Sequence, residues 1–296
     1  MWHKSQQQFV GFGFLRISDS CIANSLSWSA IRARHESFES YSTDHPDTGL
    51  LCMETPQETV VRYRRVLSEK PVLMEVYLEW YRRMKDLFAF SGPTIEIGTG
   101  HGLMAEVAPD LIASDVFPSP YTHLACDAMY LPFETASVGT FAMLDVLHHI
   151  ERPVRAFAEF ARCLRPGGRL VVAEPFMSPA ARLLFKFHFE RVDFTQELGG
   201  PGPPPLSGKT SPFEGNMALS HRALVTETHE LLELVPDLRL VDREVSDHLI
   251  YPLCGGFNFP SLVPKWSLPG LRALERWTDF LSGLAGFRII TAFEKK

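Results

Sequence analysis

Five short apolar runs between residues 93 and 175, separated by turns and helical stretches, constrain this chain more than any other feature. "TIEIG", "LIASDV", "HLACDA", "VGTFAMLDVL" and "RLVVAEP" have the length and apolar density of buried strands. "LMAEVAPD" reads as a short helix after the first of them. "PVRAFAEFARCL" reads as a longer helix before the fifth, with residues 154, 157, 160, 161 and 164 apolar. Pro166-Gly167-Gly168 then stops the helix and turns the chain. Strand and helix in alternation predict βαβ units and a parallel sheet.

The flanks read differently. Residues 1–52 contain "NSLSWSAIRARHESFESYSTDHPDTG", which is Ser-rich, mixed in charge and without a sustained period. They are expected to form a poorly ordered extension. Met53 opens a regular, helical-looking segment and is a candidate native start, which would leave a domain at 53–296. Beyond Pro175, "GGPGPPP" at 199–205 can only be a loop. "SHRALVTETHELLELV" reads as a helix, and "LRLVDREVSD" and "FRIITAFEKK" as two more strands. More than 30 residues separate those two strands, where a hairpin needs only about 2–5. That insertion is a candidate lid.

At 296 residues and 45% hydrophobic the chain can bury a substantial core. A net charge of −6 argues against a general nucleic-acid binder. Cysteines 21, 52, 126, 163 and 254 show neither a CxxC pair nor ligand spacing, so no disulfide frame and no metal site is expected. With no apolar run near the roughly 18 residues of a membrane span, and no leader pattern, a cytoplasmic location is expected.

Glycines 98, 100 and 102 follow the first strand. A dinucleotide turn reads G-x-G-x-x-G/A, and Leu103 stands where its third small residue belongs. Taken alone, such a turn is a weak signal, with an ordinary tight turn as the alternative. Its surroundings add to it. Asp115 ends the second strand 19 residues past Glu96, where a carboxylate can accept ribose hydroxyls. Asp127-Ala128 ends the third strand and "LDVLHHI" the fourth.

In order and spacing, "EIGTGHG", "ASD", "CDAMYLPF", "LHHI" and "LRPGGRLVVAEP" resemble the core of the class I S-adenosylmethionine-dependent methyltransferases. The nearest likeness is to the broad branch that includes the ubiquinone and menaquinone C-methyltransferases, over about 80 of the 296 residues. The resemblance implies a Rossmann-like, doubly wound α/β fold. Its seven-stranded, mostly parallel sheet would carry a C-terminal antiparallel strand and a helical cap insertion. The cofactor core would lie at 93–175, with acceptor-side and cap segments at 176–285. It implies S-adenosyl-L-methionine as cofactor. Gly98, Gly100 and Gly102 would admit the methionyl portion, with Glu96 anchoring its amino-acid end. Asp115 would hold the ribose, Asp127 and Ala128 would meet the adenine, and Met143 would line the pocket beside the sulfonium. One departure from the family is Gly139, where an Asp is usual.

His148, His149 and Glu174 are the candidate catalytic residues, a base or substrate-orienting group at the strand ends. The competing reading gives the histidines capping and packing roles and Glu174 a loop contact. His101 is expected to shape the glycine turn with its ring toward solvent. Residues 176–194 and 249–285, rich in Phe, Leu, Trp and Pro, are expected to cover the acceptor. Gly255-Gly256 would serve as a hinge. Arg182, Lys186 and Arg191 are candidates for an anionic head group, with a snorkelling surface role as the alternative. The fourth strand is not followed by the Asn/Asp-Pro-Pro-aromatic run of amino-methylating enzymes. The expected acceptor is therefore an apolar or lipid-linked small molecule, not nucleic acid. Membrane contact, if any, would be peripheral and near Trp277. Deleting residues 257–280 is expected to abolish transfer and spare most cofactor affinity. A non-catalytic cofactor-fold protein is a second reading. A nicotinamide oxidoreductase, opposed by Leu103, is a third.

Overall fold

A T-x-x-E sequence opens the first helix, α1 (Pro56–Glu69): the Glu58 amide donates to Thr55 Oγ1 at 3.2 Å, and the Thr55 amide donates to Glu58 Oε2 at 2.7 Å. Pro71 cannot supply an amide inside a helix, so the helical segment read from Met53 onward divides there, and α2 runs Pro71–Asp86. The structure is a computed structural model that describes residues 54–89, 91–185, 191–202, 209 and 211–296. The extension expected at 1–52 and the candidate Lys186 lie outside the described residues.

The sheet is built from β1 (Thr94–Ile97), β2 (Ile112–Asp115), β3 (Leu124–Ala125), β4 (Val138–Leu144), β5 (Leu164–Pro175), β6 (Leu238–Ser246) and β7 (Arg288–Lys295). Their order is β3-β2-β1-β4-β5-β7-β6, with β1 to β5 parallel and β7 antiparallel to both neighbours. This is the expected Rossmann-like α/β sheet, seven-stranded and mostly parallel, with a C-terminal antiparallel strand. The strand order reverses between β1 and β4, so the connections leaving their carboxyl ends diverge and open a crevice there.

Both faces of the sheet are covered. On one, Ile95, Phe141, Met143 and Val172 pack with Phe157 and Phe160 of α3 (Pro153–Cys163). On the other, Ala142, Leu144, Val171 and Ile290 pack with Val76, Trp80 and Met84 of α2. Burying each large side chain contributes about 1.5–3 kcal/mol. Gly139 is explained by crowding: a Cβ there would stand 2.1 Å from the Ser91 carbonyl oxygen.

Three elements are smaller or more broken than the sequence predicts. "LMAEVAPD" is a single 3₁₀ turn, Leu103–Glu106, because Pro109 disfavours helix at the preceding residue and has no amide. The third strand has two residues. "SHRALVTETHELLELV" divides into α5 (Met217–His221), a π-helical turn (Arg222–Thr226) and α6 (Thr228–Leu234).

Residues 247–287, between β6 and β7, do not lie where the sequence reading put them. Their helices α7 (Ile250–Leu253) and α8 (Leu268–Trp277) bring Ile250, Cys254 and Leu268 into the core beneath α2. Lys70 Nζ donates to the carbonyls of Gly256 (2.8 Å), Phe257 (3.1 Å) and Phe259 (2.8 Å). Trp80 Nε1 donates to Asp247 Oδ2 at 3.0 Å. At Gly255 (φ 72°) a Cβ would meet the Phe259 carbonyl oxygen at 2.4 Å. The Gly255-Gly256 pair is therefore a pinned turn rather than a hinge, and the insertion is anchored to the N-terminal helices.

Candidate active site

The glycine loop leaves β1 with Gly98, Gly100 and Gly102 all at positive φ (70°, 49° and 68°). Two of them are filled from the protein side. A Cβ on Gly98 would meet Val146 Cγ2 at 2.4 Å, and one on Gly102 would meet Tyr121 at 2.7 Å. Gly100 differs. Its Cβ would find only the Gly98 carbonyl oxygen, at 4.0 Å. That open side is where a ligand can approach the backbone.

Two buried acids flank the loop. The Asp115 carboxylate accepts from the Gly100 amide (3.0 Å) and the Val116 amide (2.8 Å), which fixes its plane. Burial raises its pKa against those hydrogen bonds. Thr99 Oγ1 donates to Glu96 Oε2 at 2.7 Å. Burial, with Asp115 nearby adding to it, lifts Glu96 to about 8. Acids that resist ionising alone are suited to a cationic, hydroxyl-bearing ligand, which supplies the charge and the donors they lack. The open Gly100 and this donor set fit S-adenosylmethionine.

Asp127 is half-buried and accepts from the Met129 amide through Oδ1 at 2.8 Å, while Ala128 is buried against the α3 side of the core. The 131–133 segment beyond them is held by α3. Glu159 accepts from the Leu131 amide, and Arg162 donates to the carbonyls of Phe133 (2.8 Å) and Leu131 (3.0 Å). Met143 is fully buried in the core with Phe141, and lines no open space. It does not take the place beside a sulfonium implied for it.

His101 is also placed differently from expectation. Its ring is buried, packed edge-on against Tyr77 of α2 (centroids 5.4 Å) and near Phe257 of the insertion (6.5 Å). Burial, with Arg64 second, pushes its pKa down to about 4. The insertion and α2 thus meet the glycine loop. They cover the loop's side of the crevice.

Sequence reasoning missed Asp145, Tyr77 and Arg288. Asp145 directly follows β4 at φ 56°, a strained value for a non-glycine residue, with its side chain 28% exposed. The guanidinium of Arg288, buried and stacked over Trp80, donates to both carboxylate oxygens. Tyr77 donates from its hydroxyl at 3.4 Å. Burial opposes ionisation of Asp145, but Arg288 outweighs it and holds the pKa below the usual value. The positional signal was an acid directly after the apolar fourth run. Nothing local points to Arg288, 143 residues away.

The third catalytic candidate, Glu174, is wholly buried. Its Oε1 accepts from the amides of Val146 (2.8 Å) and Leu147 (2.6 Å), and its Oε2 lies 2.5 Å from His148 Nδ1. His148 lines a cavity of about 490 Å³ with Ile150, Arg191, Lys209, Phe213 and Leu219, a size typical of small-ligand sites. His149 packs on His148 with its ring tilted (centroids 4.1 Å) and its Nδ1 buried, without a hydrogen-bond partner among the described residues. Burial, then the neighbouring His148, pushes its pKa down to about 3. It packs, and Gly215 must lack a Cβ to clear it by more than 2.7 Å. Arg191 reaches the cavity and also pairs with Asp193, whereas Arg182 stacks on Phe194 and donates to the Met177 carbonyl.

Residues 95–172 match the family model of the methyltransferase domain. The match spans about a quarter of the chain, the sheet core, and is a likeness to methyltransferase domains. Over 107 residues (35% of this chain, 18% of the other) it is 30% identical to a probable tRNA methyltransferase 9B of Homo sapiens. Over 121 residues (36% and 54%) it is 28% identical to the O-methyltransferase rstn1 of Aspergillus nomiae. These matches leave out nearly half or more of each relative. A geranyl diphosphate C-methyltransferase from Streptomyces coelicolor is similar in structure, with TM-score 0.48 and 14% identity over 89% of this chain and 97% of that one.

Proposed function

We propose that the chain transfers a methyl group from S-adenosylmethionine to a small apolar or lipid-linked acceptor that enters beside His148. The observation that carries this reading is the His148–Glu174 pair. Glu174 is locked by two backbone amides and lies within hydrogen-bond distance of His148 Nδ1; with Nδ1–H donating to it, Nε2 would be the ring's basic nitrogen. A base so oriented on the wall of a cavity can take a proton from a phenol, enol or hydroxyl, an effect of roughly 10²–10⁴-fold.

When bound, S-adenosylmethionine supplies a methyl group already activated on a sulfonium. The protein is left to align and to exclude water. Asp115 would hold the ribose hydroxyls, and the loop at Gly100 would admit the methionyl portion. Glu96 and Asp145 would face its ammonium end, with Arg288 and Tyr77 keeping Asp145 in place. Asp127 and Ala128 would border the adenine. In-line alignment at roughly 3–3.5 Å can account for about 7–11 kcal/mol of the barrier.

The acceptor class rests on the cavity wall and on the motif likeness to ubiquinone and menaquinone C-methyltransferases. Ile150, Phe213 and Leu219 supply apolar surface, and Arg191, Lys209, Glu151 and Glu214 lie on the same wall. The test is incubation with methyl-labelled cofactor and, separately, a lipid extract, an aqueous metabolite extract, RNA and protein. Label should enter a lipid or small molecule and be lost with His148→Gln. Label in RNA or protein, or full transfer by His148→Gln, would overturn the reading.

A further inference from the structure

The insertion between β6 and β7 contains a helix that is inside out. From Leu268 the chain runs through α8, a 3₁₀ turn (Asp279–Leu281) and α9 (Ser282–Ala285) as one nearly continuous helical path. Its inward positions recur at helical spacing, 268, 271, 275, 278 and 282. Only Leu268 and Leu271 of these are apolar. Glu275 accepts from the amides of Leu249 (2.8 Å) and Ile250 (3.1 Å). Thr278 and Ser282 both meet the ring of His248, at 2.8 and 3.2 Å. The inward Glu275, Thr278 and Ser282 are thus satisfied against the protein.

Its apolar side chains point out. Leu274, Trp277, Phe280 and Leu284 follow one another at helical spacing and are 44–79% exposed. The preceding loop adds Phe259, Leu262 and Trp266, at 70–83%. Among the described large apolar residues elsewhere, Val61, Val116, Tyr130, Leu183 and Leu234 reach 44% or more, and they are scattered along the chain. A monomer surface rarely gathers such side chains in one segment without use for them.

Charge selects the occupant. Lys265 and Arg276 are exposed beside the two tryptophans, and no ion pair is recorded for either among the described residues. Of the acids on this stretch, Glu275 is committed inward, and Asp279 accepts from Ser282. A chain of net charge −6 thus turns two cations and a row of aromatic tips outward on the same stretch. Trp and Phe flanked by Lys and Arg suit the boundary between head groups and acyl chains. No described helix is long and apolar enough to cross a membrane, so the contact is shallow.

We propose that residues 259–284 dock the protein on the surface of an anionic lipid bilayer, lying in the interface without spanning it. The proposal stands apart from the methyl-transfer reading, because its test measures binding alone. The full chain is sedimented with phosphatidylcholine vesicles and with vesicles containing phosphatidylglycerol. Binding should be stronger to the anionic vesicles and should weaken with salt. The triple variant Trp266→Ser, Trp277→Ser, Phe280→Ser should lose at least about tenfold in partition to both, with an unchanged melting temperature, since these side chains are exposed. Lys265→Glu with Arg276→Glu should remove the anionic preference and keep the weaker zwitterionic binding. Wild-type protein that ignores both vesicles, or a triple variant that binds as wild type does, would overturn the proposal. So would a concentration-dependent dimer abolished by the triple variant, which would make a second copy the occupant.

Discussion

On one side of the β1/β4 crevice, Glu96, the glycine loop and Asp115 lie within 20 residues of sequence and are fixed by two parallel strands and their own backbone amides. On the other, His148 meets Glu174 across 26 residues, and the cavity it borders needs Arg191, Lys209 and residues 213–219 to close. The first half is a local device of a parallel sheet. The second is assembled from distant loops, and can change its lining while the sheet stays as it is. On the proposed reading the difference separates what is shared from what is specific: the cofactor would belong to the strand ends, and the acceptor to the loops packed over them.

The two halves should fail separately. The largest effect expected is on the acceptor side. His148→Gln should lower kcat by about 10²–10⁴-fold, while His149→Gln, at a packed and neutral ring, should cost mainly stability. Steady-state kinetics with melting curves separate the two, and equal kinetic losses would mean that the pair acts as a unit. Next comes Asp115→Ala, which removes a charged acceptor of two ribose hydrogen bonds worth roughly 1.5–3 kcal/mol each at the upper end. A drop of at least about a hundredfold in cofactor affinity should follow, with the acceptor KM little changed. Gly100→Val should block binding outright, because a side chain there enters the one open side of the loop.

Phe257→Ala sharpens the comparison by testing to which half the insertion belongs. The sequence reading had residues 249–285 covering the acceptor, but Phe257 packs on Tyr77 (5.6 Å) and near His101 above the glycine loop. Cofactor affinity should therefore fall several-fold and acceptor KM stay nearly constant. The reverse pattern would return the insertion to the acceptor side.

The smallest effect concerns pH. Glu96 has a folded pKa of about 8, above its unfolded value of 4.5, so the folded state binds more protons and stability falls as pH rises between them. His101, His149 and His221, at about 4, 3 and 4, lie below their unfolded 6.5, so their contribution is lost as pH falls through that range. Each group changes stability by at most about 1.4 kcal/mol per pH unit. Below about pH 6 the three histidines outweigh one acid, and above about 7 Glu96 is alone. The melting temperature of the ligand-free protein should peak near pH 6–7, and Glu96→Gln should flatten its alkaline side. A peak that stays unchanged in that variant would contradict the assignment.

How much of this could be read from residues follows the same division. "TIEIGTGHG" and "ASD" placed Glu96, the loop and Asp115, because parallel strands put consecutive strand ends on one edge. "LHHI" marked His148 but could not tell it from His149. That choice is made by Glu174, wholly buried at the end of β5. Met143 was misplaced because strand alternation, not the motif, decides which face a side chain meets, and its face is the α3 core. The Asp145–Arg288 pair was invisible because it joins the end of β4 to the start of β7. The insertion's packing was not legible because its apolar content says only that it covers something. Only Lys70 and the core beneath α2 show what.

The central claim is that the crevice has a cofactor half and an independent acceptor half. Titration calorimetry of S-adenosylhomocysteine into wild type, Asp115→Ala and His148→Gln tests it most directly. Wild type and His148→Gln should bind with the same affinity, and Asp115→Ala at least about a hundredfold more weakly. If His148→Gln loses as much as Asp115→Ala, or if wild type does not bind at all, the division of the site is wrong.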